Sequence, residues 1–75
     1  MKITAENPES GTIEVLARPR TLKAAAARLK KDGNFWYSVG WEHITLEGVT
    51  LEMLKRALVS NEITFHEYRE LFGHI

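Results

Sequence analysis

The chain has no cysteine among its 75 residues, and this absence limits how its fold can be stabilised. Neither a disulfide nor a thiolate metal site is available, so a hydrophobic core has to hold the fold together. A chain this short has room for one core and buries only about 60% of the surface that it exposes when unfolded. Hydrophobic residues make up 44% and charged residues 27%, which suits an ordinary globular domain. We therefore expect a single domain spanning residues 1–75.

The first 18 residues have the pattern of a β-hairpin. A cluster rich in turn-forming residues over positions 7–11 separates a short apolar segment from residues 12–18. In the second segment Ile13, Val15 and Ala17 alternate with polar or bulky neighbours, as in a strand with one buried face. Pro19 follows and would end the strand, because proline has no N–H for the ladder.

Residues 20–32 predict a helix with a basic surface. Apolar residues recur at i, i+3, i+4 and i+7, which places them on one helical face: Leu22, Ala25, Ala26 and Leu29. Thr21 is the expected N-cap and Gly33 the expected C-terminal stop.

Residues 34–46 form an aromatic-rich segment that we interpret as strand. Phe35, Tyr37 and Val39 alternate with Trp36 and Ser38, and Gly40 interrupts the alternation. The pattern allows either one bent strand or two paired strands. It also leaves open whether Trp36 and Trp41 belong to the core or to an interface. The other large aromatic side chains are expected in the core: Phe35, Tyr37, Phe65 and Phe72.

Residues 50–73 predict a helical hairpin. Thr50 is a plausible cap for the first helix, and Asn61 can end it in the left-handed conformation. Thr64 and Glu67 form a capping box for the second helix, and Ile63 and Tyr68 are spaced as a hydrophobic staple. The element order is therefore ββαβ(β)αα, an α+β domain with an antiparallel sheet packed against helices.

This last segment, TLEMLKRALVSNEITFHEYRELFG, resembles the helix–turn–helix hairpin of the XkdX family, short proteins encoded in phage tail regions. The matching positions are the paired basic residues Lys55 and Arg56, followed by Ile63, Thr64, Glu67, Tyr68 and Gly73. Short oligomerisation modules of the SHOCT type share the same turn. The resemblance covers about a third of the chain and implies a phage or mobile-element origin. It transfers no active site.

No group of residues has the spacing that catalysis or metal binding requires. The chain lacks a Gly-x-Ser-x-Gly motif and a glycine-rich phosphate loop. His66 and Glu70 are four residues apart on one helix, but a structural zinc site needs four ligands. We expect neither a cofactor nor a bound metal ion, and we expect that the protein is not an enzyme.

Charge is unevenly distributed although the formal net charge is zero. Residues 18–31 contain six basic residues and no acidic one, whereas residues 42–75 contain six acidic and three basic residues. The basic segment suits nucleic acid or an acidic protein surface, or it is simply the solvated face of a helix. The candidates for partner binding include five basic residues: Arg18, Arg20, Lys23, Lys30 and Lys31. Trp36 and Trp41 are also candidates, because exposed aromatic residues near arginine are typical of binding hot spots.

The sequence favours a non-enzymatic phage or mobile-element protein that binds and inhibits a host protein or nucleoprotein complex, by analogy with small phage inhibitors such as anti-CRISPR proteins. The first alternative is a phage structural, tail-assembly or oligomerisation module. Its contact surface would be the helical hairpin, through Leu51, Leu54, Leu58 and Tyr68. The second alternative is a small nucleic-acid-binding protein. With no apolar run of membrane-spanning length and no signal-like N-terminus, we expect no membrane partner and a location in the host bacterial cytoplasm.

Overall fold

The computed structural model describes all residues from 1 to 75 and contains three strands and three helices. In chain order they are β1 (Lys2–Glu6), β2 (Ile13–Ala17), α1 (Leu22–Ser38), β3 (Glu42–Glu47), α2 (Leu51–Val59) and α3 (Phe65–Phe72). The order is thus ββαβαα. The expected α+β class, the N-terminal hairpin and the C-terminal helical hairpin are confirmed.

The sheet is antiparallel, with strand order β2-β1-β3. Ile3 at the centre lies opposite Ala17 on one side and Leu46 on the other. Ile3 and Leu46 are fully buried in a core that also contains alanine and leucine side chains of α1. The helices therefore cover one face of the sheet, whereas the other face carries exposed side chains such as Ile13, which is 72% exposed.

The two edges of the sheet are treated differently. His74, which follows α3, covers the edge of β3: its carbonyl accepts from the Leu46 N–H at 2.7 Å, and its Nδ1–H donates to the Ile44 carbonyl at 2.9 Å. The β2 edge has no partner. Its pairing with β1 is interrupted by a β-bulge, and it carries the exposed charged residue Glu14, two features that discourage the addition of another strand.

Helix α1 differs from the prediction, because it continues through Gly33 to Ser38. The predicted strand over residues 34–38 is therefore wrong, and the aromatic segment contributes only one strand, β3. The reason is the position of Trp36, seven residues after Leu29 on the buried face of α1. A mid-helix glycine costs about 1 kcal/mol, whereas burying a large apolar side chain contributes roughly 1.5–3 kcal/mol, so the helix continues. It ends at Ser38, and Gly40, which lies two residues later and has a φ of 102°, turns the chain toward β3.

All three helices begin where the sequence indicates. Thr21, Thr50 and Thr64 each accept a backbone N–H three residues later, at 3.0, 3.2 and 3.2 Å. The Glu67 carboxylate closes the capping box by accepting the Thr64 N–H at 2.8 Å. Asn61 adopts the left-handed conformation, with a φ of 64°, and turns the chain from α2 into α3.

Helix α3 packs against both α1 and α2. The α1 contact surface includes the buried small side chains Ala25 and Ala26, which let another element approach closely. Two residues are buried here: Ile63, which precedes the N-cap of α3, and Leu71, near the C-terminal end of the helix. None of the three helices is long and apolar enough to cross a membrane.

Two glycines should respond to alanine substitution in opposite directions. A Cβ at helical Gly33 would meet no atom within 4 Å, so Gly33→Ala should raise the free energy of unfolding by about 0.5–1 kcal/mol. Gly48 has a φ of 85°, and a Cβ there would lie 3.4 Å from Met1 Cα, so Gly48→Ala should lower it by roughly 1–2 kcal/mol. Urea titration checks both values. Loss of stability in Gly33→Ala would contradict the position of Gly33 inside α1 with free space for a Cβ.

Candidate interaction surface

Trp36 belongs to the core and is not available to a partner. Its side chain is only 7% exposed and lies in the buried cluster. The Arg28 guanidinium sits 5.7 Å from the centre of its ring and also pairs with Asp32, one turn further along α1. Because the indole is buried in the core, the alternative that makes Trp36 an interface residue is wrong.

Trp41 takes an intermediate position. It follows the end of α1, and its backbone N–H donates to the Trp36 carbonyl at 3.1 Å. The side chain is half-buried and packs against the edge of the core. Part of the ring therefore remains accessible to a partner.

The expectation that the phenylalanines are core residues is wrong for all three in the chain. Phe35, Phe65 and Phe72 are 62%, 59% and 52% exposed, and Tyr37 is 51% exposed. On α1 the helical geometry explains the error: Trp36 faces the core, so Phe35 and Tyr37, each about 100° away around the helix, are turned toward solvent. Trp36 is thus the buried ring of this segment, whereas Phe35 and Tyr37, which the strand prediction placed in the core, are exposed.

Three aromatic side chains line one side of α3 and form what we call the aromatic ladder: Phe65, Tyr68 and Phe72. Phe65 and Tyr68 have ring centroids 6.2 Å apart at an interplanar angle of 13°. The Tyr68 and Phe72 centroids are 6.1 Å apart at 18°. Tyr68 also packs against the core, while both phenylalanines are more than half exposed. The ladder is therefore an ordered apolar ridge anchored at its centre.

The sequence contains the signal that places this ladder, although we expected Phe65 and Phe72 in the core. The capping box fixes where α3 begins, and Leu71 is the residue of α3 that is fully buried. Positions 65, 68 and 72 follow the i, i+3, i+7 rule and lie on one flank of the helix. Because Leu71 occupies the centre of the buried face, the two phenylalanines are rotated toward solvent.

The proposed basic residues do not form one continuous stripe. Lys23 forms an ion pair with Glu67 at 3.2 Å. The other four are exposed and form no ion pair: Arg18, Arg20, Lys30 and Lys31. Lys30 lines the groove between α1 and α3, whereas Lys31 lies about 100° further round the helix. The two lysines therefore face different directions.

The groove between α1 and α3 is open and has a volume of about 490 Å³. Lys23 and Lys30 lie on its α1 wall, and Glu67 and Glu70 on its α3 wall. The pKa of Glu67 is lowered mainly by the hydrogen bond from the Thr64 backbone N–H; partial desolvation opposes this, and Lys23 lowers the pKa further. The Lys23–Glu67 ion pair links the two walls near one end of the groove.

Two of the three histidines each lie near a single carboxylate. His43 Nε2 lies 3.8 Å from Glu6, and His74 Nε2 lies 3.7 Å from Glu70. No group of three or more His, Cys, Asp or Glu residues could hold one metal ion.

The alternative contact surface on the helical hairpin is only partly accessible. Leu54 is fully buried, so its assignment to a contact surface is wrong. Leu51 is 37% exposed, and Leu58 and Tyr68 are half-buried against the core. Of the proposed hairpin contacts, Tyr68 alone also belongs to the aromatic ladder.

Comparison with known proteins finds no match of the chain to a protein-family model, to a curated protein sequence or to a solved structure. The resemblance of residues 50–73 to the XkdX hairpin stays a prediction. The candidate surface rests on the geometry of this chain.

Replacing Trp36 should destabilise the fold far more than replacing its exposed neighbour. Trp36→Ala removes a buried side chain and should lower the free energy of unfolding by about 3–5 kcal/mol. Phe35→Ala removes an exposed ring and should lower it by less than about 1 kcal/mol. Trp36→Phe should fall between the two and keeps the comparison measurable if Trp36→Ala does not fold. Equal losses in a urea titration would show that α1 is not rotated as described.

The capping box should make stability sensitive to acid. The pKa of Glu67 is lowered in the folded protein, so its contribution is present above the unfolded value of 4.5 and is lost as the pH falls through the folded pKa. Glu67→Gln keeps a capping side chain but cannot titrate. The wild type should therefore be more stable than this variant at pH 7, and the difference should shrink between pH 5 and pH 3.

Thermal unfolding over that pH range measures the difference. Glu62→Gln is the matched control, because it also removes one negative charge, from a carboxylate that accepts no hydrogen bond. A gap between wild type and Glu67→Gln that stays constant with pH would contradict the role of the carboxylate.

Proposed function

We propose that the protein is a non-enzymatic binding protein that inhibits a host protein or nucleoprotein complex by covering part of its surface. The observation that carries this proposal is the ordered aromatic ladder on α3, in which Phe65 and Phe72 are both more than half exposed. Phenylalanine is among the residues most often buried, and a domain of this size has few large side chains with which to build a core. Exposed aromatic rings of this kind are typical of binding surfaces.

The total accessible surface supports the same proposal. The chain exposes 5156 Å² and has a mass of 8.6 kDa. A folded monomer of that mass typically exposes about 4,700 Å². The difference agrees with the elongated shape, 41 × 20 × 18 Å, and leaves surface that a partner can cover.

The origin and target class rest on weaker support and belong to the same proposal. The resemblance of residues 50–73 to the XkdX hairpin supports a phage or mobile-element source. Small cofactor-free phage proteins include inhibitors of host defence, such as anti-CRISPR proteins, and this analogy of size supports a host defence complex as the target. In that setting the protein acts in the host bacterial cytoplasm.

Two other functions have specific observations in their favour. Four exposed basic side chains without an ion pair support nucleic-acid binding: Arg18, Arg20, Lys30 and Lys31. The α2–α3 hairpin supports a structural or tail-assembly role, in which copies of the chain or virion proteins would be the partners. Both alternatives predict different behaviour in one experiment.

A tagged pull-down from bacterial lysate, with and without nuclease, should recover a host protein or complex in stoichiometric amount in both cases. Such binding requires no substrate turnover. Recovery of only virion proteins or the chain itself would favour the assembly role. Recovery that disappears with nuclease, and whose affinity falls steeply with salt, would favour nucleic-acid binding. Recovery of nothing by the wild type would contradict the proposed function.

A further inference from the structure

We infer that α3 is the element that enters the partner, as a helical ridge docked in an apolar groove with an acidic rim. This inference rests on the proposed function and names the surface and the kind of partner. Its first support is the spacing of the aromatic ladder. Phe65, Tyr68 and Phe72 lie at i, i+3 and i+7 and span about 10 Å along the helix. This is the anchor spacing by which amphipathic helices occupy grooves.

The order of the ladder reduces the cost of binding. The rings stack on each other at 6.2 and 6.1 Å, and the central ring also packs against the core. Their conformations are therefore held before a partner arrives, so less side-chain freedom is lost on association. The helix is fixed at its start by the capping box and at its buried face by Leu71.

Arg69 specifies the charge of the groove. It lies four residues after Phe65 and three before Phe72, on the same side of α3 as both. It is exposed and forms no ion pair within the molecule. A carboxylate on the partner would form an ion pair with Arg69. Arginine together with aromatic residues is the usual composition of an interface hot spot.

A second copy of this chain is a poorer occupant. Phenylalanine offers 150–250 Å² of surface, so the exposed parts of Phe65 and Phe72 amount to roughly 200 Å². Two ladders paired with each other would bury far less than the roughly 1,200 Å² of a stable interface. The ladder is a convex ridge, and a concave partner can contact the flanks of α3 as well as the rings.

Nucleic acid is also a poorer occupant. Proteins that bind single strands combine stacking aromatic rings with a positively charged groove that follows the phosphate backbone. Helix α3 carries a single Lys or Arg residue, Arg69, and two carboxylates, Glu67 and Glu70.

The test compares alanine variants of all three exposed phenylalanines in the full chain. The host protein recovered by the wild-type pull-down is purified, and its affinity for each variant is measured by calorimetry. Phe65→Ala and Phe72→Ala should each weaken binding about thirtyfold or more, as a hot-spot residue does. Phe35→Ala is the matched control, because it removes an equally exposed ring from α1, and its affinity should equal that of the wild type.

Charge reversal tests the acidic rim. Arg69→Glu should weaken binding at least tenfold, and Lys31→Glu, another exposed cation without an ion pair, should change it less than twofold. A photo-crosslinking amino acid at position 65 or 72 should label apolar residues of the partner with Asp or Glu nearby. The same crosslinker at position 31 should label none of them.

Two results would overturn the inference while leaving the proposed function intact. One is wild-type affinity in both Phe65→Ala and Phe72→Ala with a fold unchanged by circular dichroism. The other is a larger loss of affinity in Phe35→Ala. Two further results would overturn the proposed function together with the inference. Dimerisation that Phe65→Ala abolishes, with no host protein recovered, would identify a second copy as the occupant, and loss of the complex with nuclease would identify nucleic acid.

Discussion

The indole ring of Trp36 lies in the same buried cluster as Leu29, and this burial holds α1 in helical form beyond Gly33. The cost of a mid-helix glycine is smaller than the stabilisation from burying the ring. Because the helix continues to Ser38, the sheet receives one strand from the second half of the chain. Its two edges are then β2, blunted by a bulge, and β3, covered by His74.

The C-terminal hairpin depends on a second local constraint. The reciprocal hydrogen bonds of Thr64 and Glu67 determine where α3 begins, and the burial of Leu71 determines how it is rotated. With both fixed, the aromatic ladder has to lie on the flank of α3. The capping box and the burial of Leu71 together therefore produce an exposed apolar ridge.

As a result, the charged groove and the aromatic ladder lie on different sides of α3. The α1–α3 groove has cations on one wall and carboxylates on the other, and the Lys23–Glu67 ion pair links them. The remaining unpaired cations are dispersed over several directions. The ladder is the one surface that combines ordered aromatic rings with an adjacent unpaired arginine, Arg69. A binding protein that docks through α3 explains this combination better than a nucleic-acid-binding stripe does.

Features that depend on neighbours along the chain could be predicted from the amino-acid order. These are the N-terminal hairpin, the caps at Thr21, Thr50 and Thr64, the left-handed Asn61 and the α+β class. The path of residues 34–38 and the exposure of the aromatic side chains depend instead on tertiary packing. Alternation at Phe35 and Tyr37 suits a strand, and the same residues flank a buried Trp36 in a helix. Local propensity does not choose between these, because the choice depends on whether a core formed by distant strands and helices is there to receive the indole ring.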